Sequence, residues 1–156
     1  MTVARKLKEF LDKSKVPYKL ATHQEVYTAQ EVAASLHVKG QYLVKVVMIK
    51  SKDKLIMTTL PASHKVNVEK VKTILKDPQA RLATESEFKS VFPDCDVGAM
   101  PPFGHLYNVE LYADKSLSKD EEIIFQAGSH VEAARMKYKD FEKLAKPTVA
   151  EFATHL

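Results

Sequence analysis

Tryptophan is absent, cysteine occurs once and glycine only four times in 156 residues. The lone Cys95 permits neither an internal disulfide nor a cysteine-cluster metal site, as expected of a chain from a reducing compartment. No apolar run approaches the ~18 residues of a membrane-spanning helix, and the N-terminus lacks a signal-peptide pattern. A cytoplasmic chain with no membrane partner is therefore expected. Neither G-x-G-x-x-G nor G-x-x-x-x-G-K occurs, so the glycine-rich cradles of dinucleotides and nucleoside triphosphates are missing, and no serine sits in a G-x-S-x-G turn. The histidines, His23, His37, His64, His105, His130 and His155, form no pair at helical ligand spacing. No metal site and no cofactor are expected.

What is present reads as an ordinary globular chain, 45% hydrophobic and 28% charged. Its length suits one domain, residues 1–156, with one sizeable core. The net charge of +4 is modest, but its distribution is uneven. Residues 45–76 carry eight lysines against Asp53 and Glu69, whereas residues 77–122 carry ten acids against four bases. Such asymmetry either marks solvated faces or gives one surface a basic footprint for a polyanion.

Local patterns predict the elements. Val3, Leu7, Phe10 and Leu11 form the apolar stripe of a helix over Thr2–Lys15, ended by Pro17. Tyr18–Ala21 alternates as a strand. Thr28 with Glu31 three residues on is a capping box for a helix running to Leu36. Tyr42–Ile49 is apolar on both faces, the mark of a central strand, and returns through the turn Ser51–Lys54 as a strand to Leu60. Asn67 caps a helix to Leu75, Arg81–Ala83 is extended, and Thr84 with Glu87 caps a short helix before Pro93. Tyr107–Ala113, Glu122–Gln126 and Val131–Lys137 read as strands, and Tyr138–Ala145 as the last helix. Pro147 opens a tail. Helices scattered among strands without βαβ alternation predict an α+β fold, a mixed and mostly antiparallel sheet surrounded by helices.

Two features do not reduce to packing. Gly98-Ala99-Met100-Pro101-Pro102-Phe103-Gly104 concentrates two of the four glycines and two of the seven prolines. Proline fixes φ and cannot donate, while glycine permits angles that side chains forbid. A tight turn accounts for these residues. So does a stiff ribbon whose Gly98, Ala99 and Met100 amides are left to face a carbonyl oxygen that becomes an oxyanion. The second feature is Lys45, charged within the apolar strand. A lysine there either snorkels to water or lines a pocket, and the double-sided apolar pattern favours the pocket. His23 after a strand and His130 at the Ala127-Gly128-Ser129-His130 bend stand where a pocket could use them. Cys95, between Asp94 and Asp96, is disfavoured as a thiolate and reads as incidental.

The order His23, Tyr27-Thr28-Ala29-x-Glu31, strand Lys45, Pro61-Ala62 with Val66-Asn67, the 98–104 loop, then Ala127-Gly128-Ser129-His130 resembles the YbaK and prolyl-tRNA-editing-domain family over nearly the whole chain. That resemblance implies a freestanding trans-editing deacylase. It would hydrolyse the ester of misacylated tRNA, typically a prolyl tRNA carrying a small wrong amino acid such as alanine, cysteine or serine. The implied partners are misacylated tRNA and an aminoacyl-tRNA synthetase. Lys45 and the G-x-x-x-P loop, Gly98 to Pro102, are the implied functional core, with Ala99 and Met100 contributing catalytic amides. Substrate contacts are expected of His23, Thr28, Val46, Pro61, Pro102, Phe103, Gly128 and His130. Two other readings stand beside it: a non-catalytic tRNA- or synthetase-binding module of the same fold, and a small-molecule hydrolase or binding protein using the same pocket.

Overall fold

The computed structural model describes residues 4–26 and 28–156, so the expected places of Thr2, Val3 and Tyr27 lie outside the described residues. In chain order the elements are α1 (Arg5–Ser14), β1 (Tyr18–Thr22), α2 (Ala29–Ser35), β2 (Leu43–Ser51), β3 (Lys54–Pro61), β4 (His64–Val66), α3 (Val68–Leu75) and β5 (Arg81–Leu82). They continue with α4 (Glu85–Phe88), β6 (Glu110–Asp114), β7 (Glu122–Ser129), β8 (Glu132–Lys137), α5 (Tyr138–Ala145), β9 (Thr148–Ala150) and β10 (Ala153–His155).

Local chemistry accounts for most boundaries. Leu7 and Leu11, one turn apart, are buried on the inner face of α1, and Lys15 ends the helix in the left-handed conformation. The Thr28 hydroxyl accepts from the Glu31 amide, and the Glu31 carboxylate accepts from the Thr28 amide, closing the expected capping box of α2. Asn67 caps α3 through the Lys70 amide. Lys52 and Asp53 both take positive φ, the two-residue turn that matches the twist of a β hairpin and joins β2 to β3.

The main sheet runs β1-β8-β7-β2-β3-β6-β9, with β5 added to β2; β10 pairs β4 separately. Chain neighbours pair antiparallel, as in β2–β3 and β7–β8, while β2–β7, β3–β6 and β6–β9 are parallel. The sheet is thus mixed, and β2 is central as its apolar pattern implies.

Side-chain alternation divides β2 between two cores. Val44 and Met48 face a large cluster with Leu7, Leu11, Met57, Phe103, Phe125 and Phe141, built under α1 and α5. In its aromatic centre Phe103 meets Phe10, Phe125 and Phe141 edge-on at centroid distances of 5.6–5.7 Å. Leu43 and Ile49 face the other way. Leu43 packs with Ala62, Ile124 and Ala133 under Val32 and Ala33 of α2, and Ile49 packs with Ile56, Leu60 and Phe152 under Val71 of α3.

Two expectations change. Tyr107 does not begin a strand: Gly104–Tyr107 is a 3₁₀ turn closed by Asn108 at φ 57°, and β6 begins at Glu110. The segment after Pro147 is not a loose tail, because β9 adds to β6 and β10 to β4. Asp114 fastens it by accepting from the Phe152 and Ala153 amides, each at 2.9 Å.

Candidate functional site

Lys45 stands where the sheet parts. On one side it pairs with Leu60 of β3. On the other, β7 pairs β2 through Leu43 and Val44, and β5 joins at Ile49 and Lys50, so no strand is hydrogen-bonded between them. Two residues from Leu43 and four from Ile49, the Lys45 side chain lies on their face, between the packing of α2 and that of α3. It is half-buried and makes no ion pair among the described residues. Burial lowers its pKa below the ordinary lysine value, the direction expected when a charge loses water without gaining a counter-ion.

The proline-stiffened loop is clamped to the end of β7. Asp96 N–H donates to Gly128 O at 2.7 Å, Gly128 N–H to Ala99 O at 2.9 Å, and His130 N–H to Asp96 Oδ2 at 3.2 Å. A register shift between Gln126 and Ser129 frees this backbone from the ladder, so the Ala127–His130 bend is a β-bulge leading into the hairpin turn. Gly128 has φ +101°, and a side chain there would strike Ala4. Gly98, exposed at φ +87°, has His130 Cε1 3.7 Å from the place of a Cβ.

Gln126 joins the two features. It follows Ile124 by two residues, and Ile124 pairs with Leu43, so Gln126 lies on the Lys45 face of the sheet. Its Nε2 reaches Gly98 O at 3.4 Å. The crest of the loop therefore comes round to the Lys45 side, although Met100 and Phe103 send their side chains into the opposite core. Gln126 was not anticipated. Its signal was the same as that of Lys45, a polar residue inside an apolar run, Ile123-Ile124-Phe125-Gln126-Ala127.

The expected free amides are only partly so. Gly98 N–H points at Met100 Sδ at 3.2 Å, a weak acceptor, and Ala99 N–H donates to Asp96 O at 3.0 Å. The turn that stiffens the loop consumes the Ala99 donor. The Met100 amide has no partner among the described residues.

The other anticipated residues divide. His130 and Gly128 adjoin Gly98. His23 follows β1, its amide bonded to Val131 O at 2.8 Å and its Nδ1 2.7 Å from Gln24 O. Thr28 commits its hydroxyl to Glu31. Val46, next to Lys45 on the strand, faces the opposite core, as does Pro61, which pairs with Val44. Pro102 and Phe103 are buried, Phe103 completely. Cys95 is half-buried with its thiol pushed up to about 12, first by burial and only then by Asp94 and Asp96. Such a thiol is disfavoured as a nucleophile.

A cleft of about 620 Å³ opens near the start of β2, among Lys39, Tyr42, Lys119, Asp120 and Arg135, and neither Lys45 nor Gly98 lines it. On the far side of Lys45, His64 and His155 pair across β4 and β10 with ring centroids 4.9 Å apart. The pKa of His64 is lowered by burial, then by His155; Asp114 opposes the shift, and Lys45 and Lys119 add smaller repulsions. None of the described helices is long and apolar enough to cross a membrane, and no group of three or more His, Cys, Asp or Glu that could hold a metal ion is found among the described residues.

Comparison with known proteins bears on the fold and the family. A proline–tRNA ligase of Bacillus cereus strain AH187 is 29% identical over 89 residues, 57% of this chain and 16% of that enzyme, and Bacillus thuringiensis subsp. konkukian has a similar segment in proline–tRNA ligase 1. The matched segment thus spans about a sixth of these relatives. Two crystal structures share the fold over nearly the whole chain at 20% identity. The hypothetical protein APE2540 has a TM-score of 0.86, covering 96% of this chain and 100% of its own. A chain proposed to be a trans-editing enzyme for prolyl tRNA synthetase has a TM-score of 0.84, covering 97% and 96%. Residues 23–144, which include Lys45, the loop and the bulge, match the model of the aminoacyl-tRNA editing domain, and the chain belongs to that family.

Proposed function

We propose that the chain is a trans-editing deacylase that hydrolyses the ester of a prolyl tRNA carrying a small wrong amino acid. The observation that carries this reading is the unpaired, half-buried Lys45 at the parting of the sheet, on the same face as the clamped crest of the loop. An aminoacyl ester is already activated, so no protein nucleophile is required. Water attacks the carbonyl carbon, the carbonyl oxygen takes up negative charge, and the bond to the ribose oxygen then breaks. The ribose oxygen leaves with a proton from the water, giving a free amino acid and a tRNA with its terminal hydroxyl restored.

Lys45 supplies positive charge where that oxyanion or the neighbouring phosphate lies, and its partial desolvation strengthens the interaction. Within the loop, the Met100 amide is the unused donor and the Gly98 amide is held only by sulfur. A small acyl pocket discriminates by size, at about 1–3 kcal/mol per methylene, which is why a second sieve that admits the smaller error is needed. Lys65 of β4, Lys70 and Lys72 of α3, which packs on the Lys45 face through Val71, and Lys76 at the end of that helix would follow the acceptor arm, with affinity falling as salt rises. The cleft near the start of β2 does not extend that track, because Asp120, Glu121 and Glu122 balance its three cations, Lys39, Lys119 and Arg135.

The engagement of Ala99 N–H within the loop favours a second reading, a non-catalytic tRNA-binding module of the same fold. One assay separates them. Prolyl tRNA charged separately with alanine, cysteine, serine, threonine and proline, with other tRNAs as controls, is incubated with the protein. Release of at least one small wrong amino acid, with prolyl-tRNA(Pro) spared, supports the deacylase. Binding without release from any of them supports the module.

A further inference from the structure

Gln126 Oε1 and His23 Nε2 are buried side-chain atoms with no hydrogen-bond partner among the described residues. Gln126 is 6% exposed, and with Nε2 turned to the Gly98 carbonyl its Oε1 has no partner among the described residues. The orientation of the amide follows from that contact, since a carbonyl can face only the NH₂ end. His23 Nε2 is the second. Its Nδ1 lies 2.7 Å from Gln24 O, a pure acceptor, so Nδ1 carries a hydrogen and Nε2 is left without a partner. A buried acceptor left unpaired is destabilising, and a ligand bearing donors recovers that loss. The complementary ligand of Gln126 Oε1 is therefore a donor group; Lys45, on the same face of the sheet, is not bonded to it.

Within the proposed deacylase reading, on which this inference rests, the substrate carries one such group beside the scissile carbonyl, the α-ammonium with three N–H donors. We infer that Gln126 Oε1 receives the α-amino group of the aminoacyl ester, so that the site acts on esters with a free amine and discriminates against N-acylated ones. Gln126 lies one step past the last β2–β7 pair, Val44 with Phe125, on the Lys45 face, and grips the loop through Gly98, so its acceptor shares that face with the cation and the crest of the loop. Oε1 is shielded in the empty chain. The flexible stem of Lys45, on the same face of the sheet, is able to move as the acyl group enters.

The test compares single-turnover hydrolysis of alanyl-prolyl tRNA with that of its N-acetylated form by wild type, Gln126→Met and Gln126→Glu, with urea unfolding to confirm that each variant is folded. A hydrogen bond to a charged group is worth about 1.5–3 kcal/mol, or roughly 10- to 150-fold. Wild type is expected to prefer the free amine by at least ~10-fold. Gln126→Met, similar in volume but without an acceptor, should reduce that preference to within ~2-fold, and Gln126→Glu, which keeps an acceptor, should retain it. Equal rates on both esters by wild type, an undiminished preference in Gln126→Met, or its loss in both variants would overturn the inference while leaving the deacylase reading intact. A wild type that hydrolyses neither ester on any tRNA overturns the deacylase reading first, and this inference with it.

Discussion

The two glycines that hold the loop differ in what a single methyl group would do. Gly98 has φ +87°, but its Cβ position is open, with His130 Cε1 at an ordinary 3.7 Å. Gly98→Ala therefore pays only the conformational cost of a side chain at positive φ, about 1–2 kcal/mol. Gly128 has φ +101°, and its Cβ would lie 2.6 Å from Ala4 Cβ and 3.0 Å from Ala4 N. That contact is with backbone held by the Ala4 N–H to Ala127 O bond of 2.8 Å, so relief means moving the start of α1 or the bulge. Overpacking adds about 1–3 kcal/mol to the conformational term, giving about 2–5 kcal/mol for Gly128→Ala. The bulge also holds Ala99 O and Asp96 N–H, so the loop should loosen with it. Urea unfolding of both variants, read as a midpoint shift at constant slope, measures the difference. Equal costs for the two variants, or a Gly128→Ala within about 0.5 kcal/mol of wild type, would refute the reasoning.

Asp114→Ala removes the acceptor of the Phe152 and Ala153 amides and should cost about 2–4 kcal/mol, with hydrogen exchange accelerating in β10 before the rest of the sheet. Burial pushes the Asp114 carboxyl up, but Ser116 and the two amides outweigh it and leave the pKa below the ordinary value. Its contribution is thus complete above the ordinary Asp pKa and lost as the pH falls through the lower folded value, and Asp114→Asn should converge with wild type in acid. Glu87 is lowered to about 2, first by Arg81 and then by the Thr84 amide. Glu87→Gln should accordingly flatten the stability profile between the ordinary Glu pKa and about pH 2, as followed by thermal unfolding across that range.

How much was legible depended on whether the cause was local. The capping boxes of α2 and α4, the Asn67 cap and the span of α5 follow from neighbouring residues, and they stand where the pattern puts them. β9 and β10 are three residues each and exist because β6, β4 and Asp114 receive them, none of which is near in sequence. The same contrast governs the site. Lys45 was conspicuous as a charge in an apolar strand, and the period of two that made it so also turns its neighbour Val46 to the other face. Phe103 looked like part of a ligand loop, yet the prolines before it swing its ring into the core beside Phe125 and Phe141. That Gly98 remains on the Lys45 side depends on the bulge after Gln126, a contact between distant segments that no local motif encodes.

The most direct test of the account is single-turnover hydrolysis of a misacylated prolyl tRNA by saturating wild type and by Lys45→Ala, with tRNA binding measured on the same preparations. Wild type is expected to release the amino acid and Lys45→Ala to be slower by at least ~100-fold, the scale of losing one preorganised charge at an oxyanion, while binding changes only a few-fold. A Lys45→Ala protein that deacylates at the wild-type rate, or a wild type that binds the charged tRNA without ever releasing the amino acid, would contradict it.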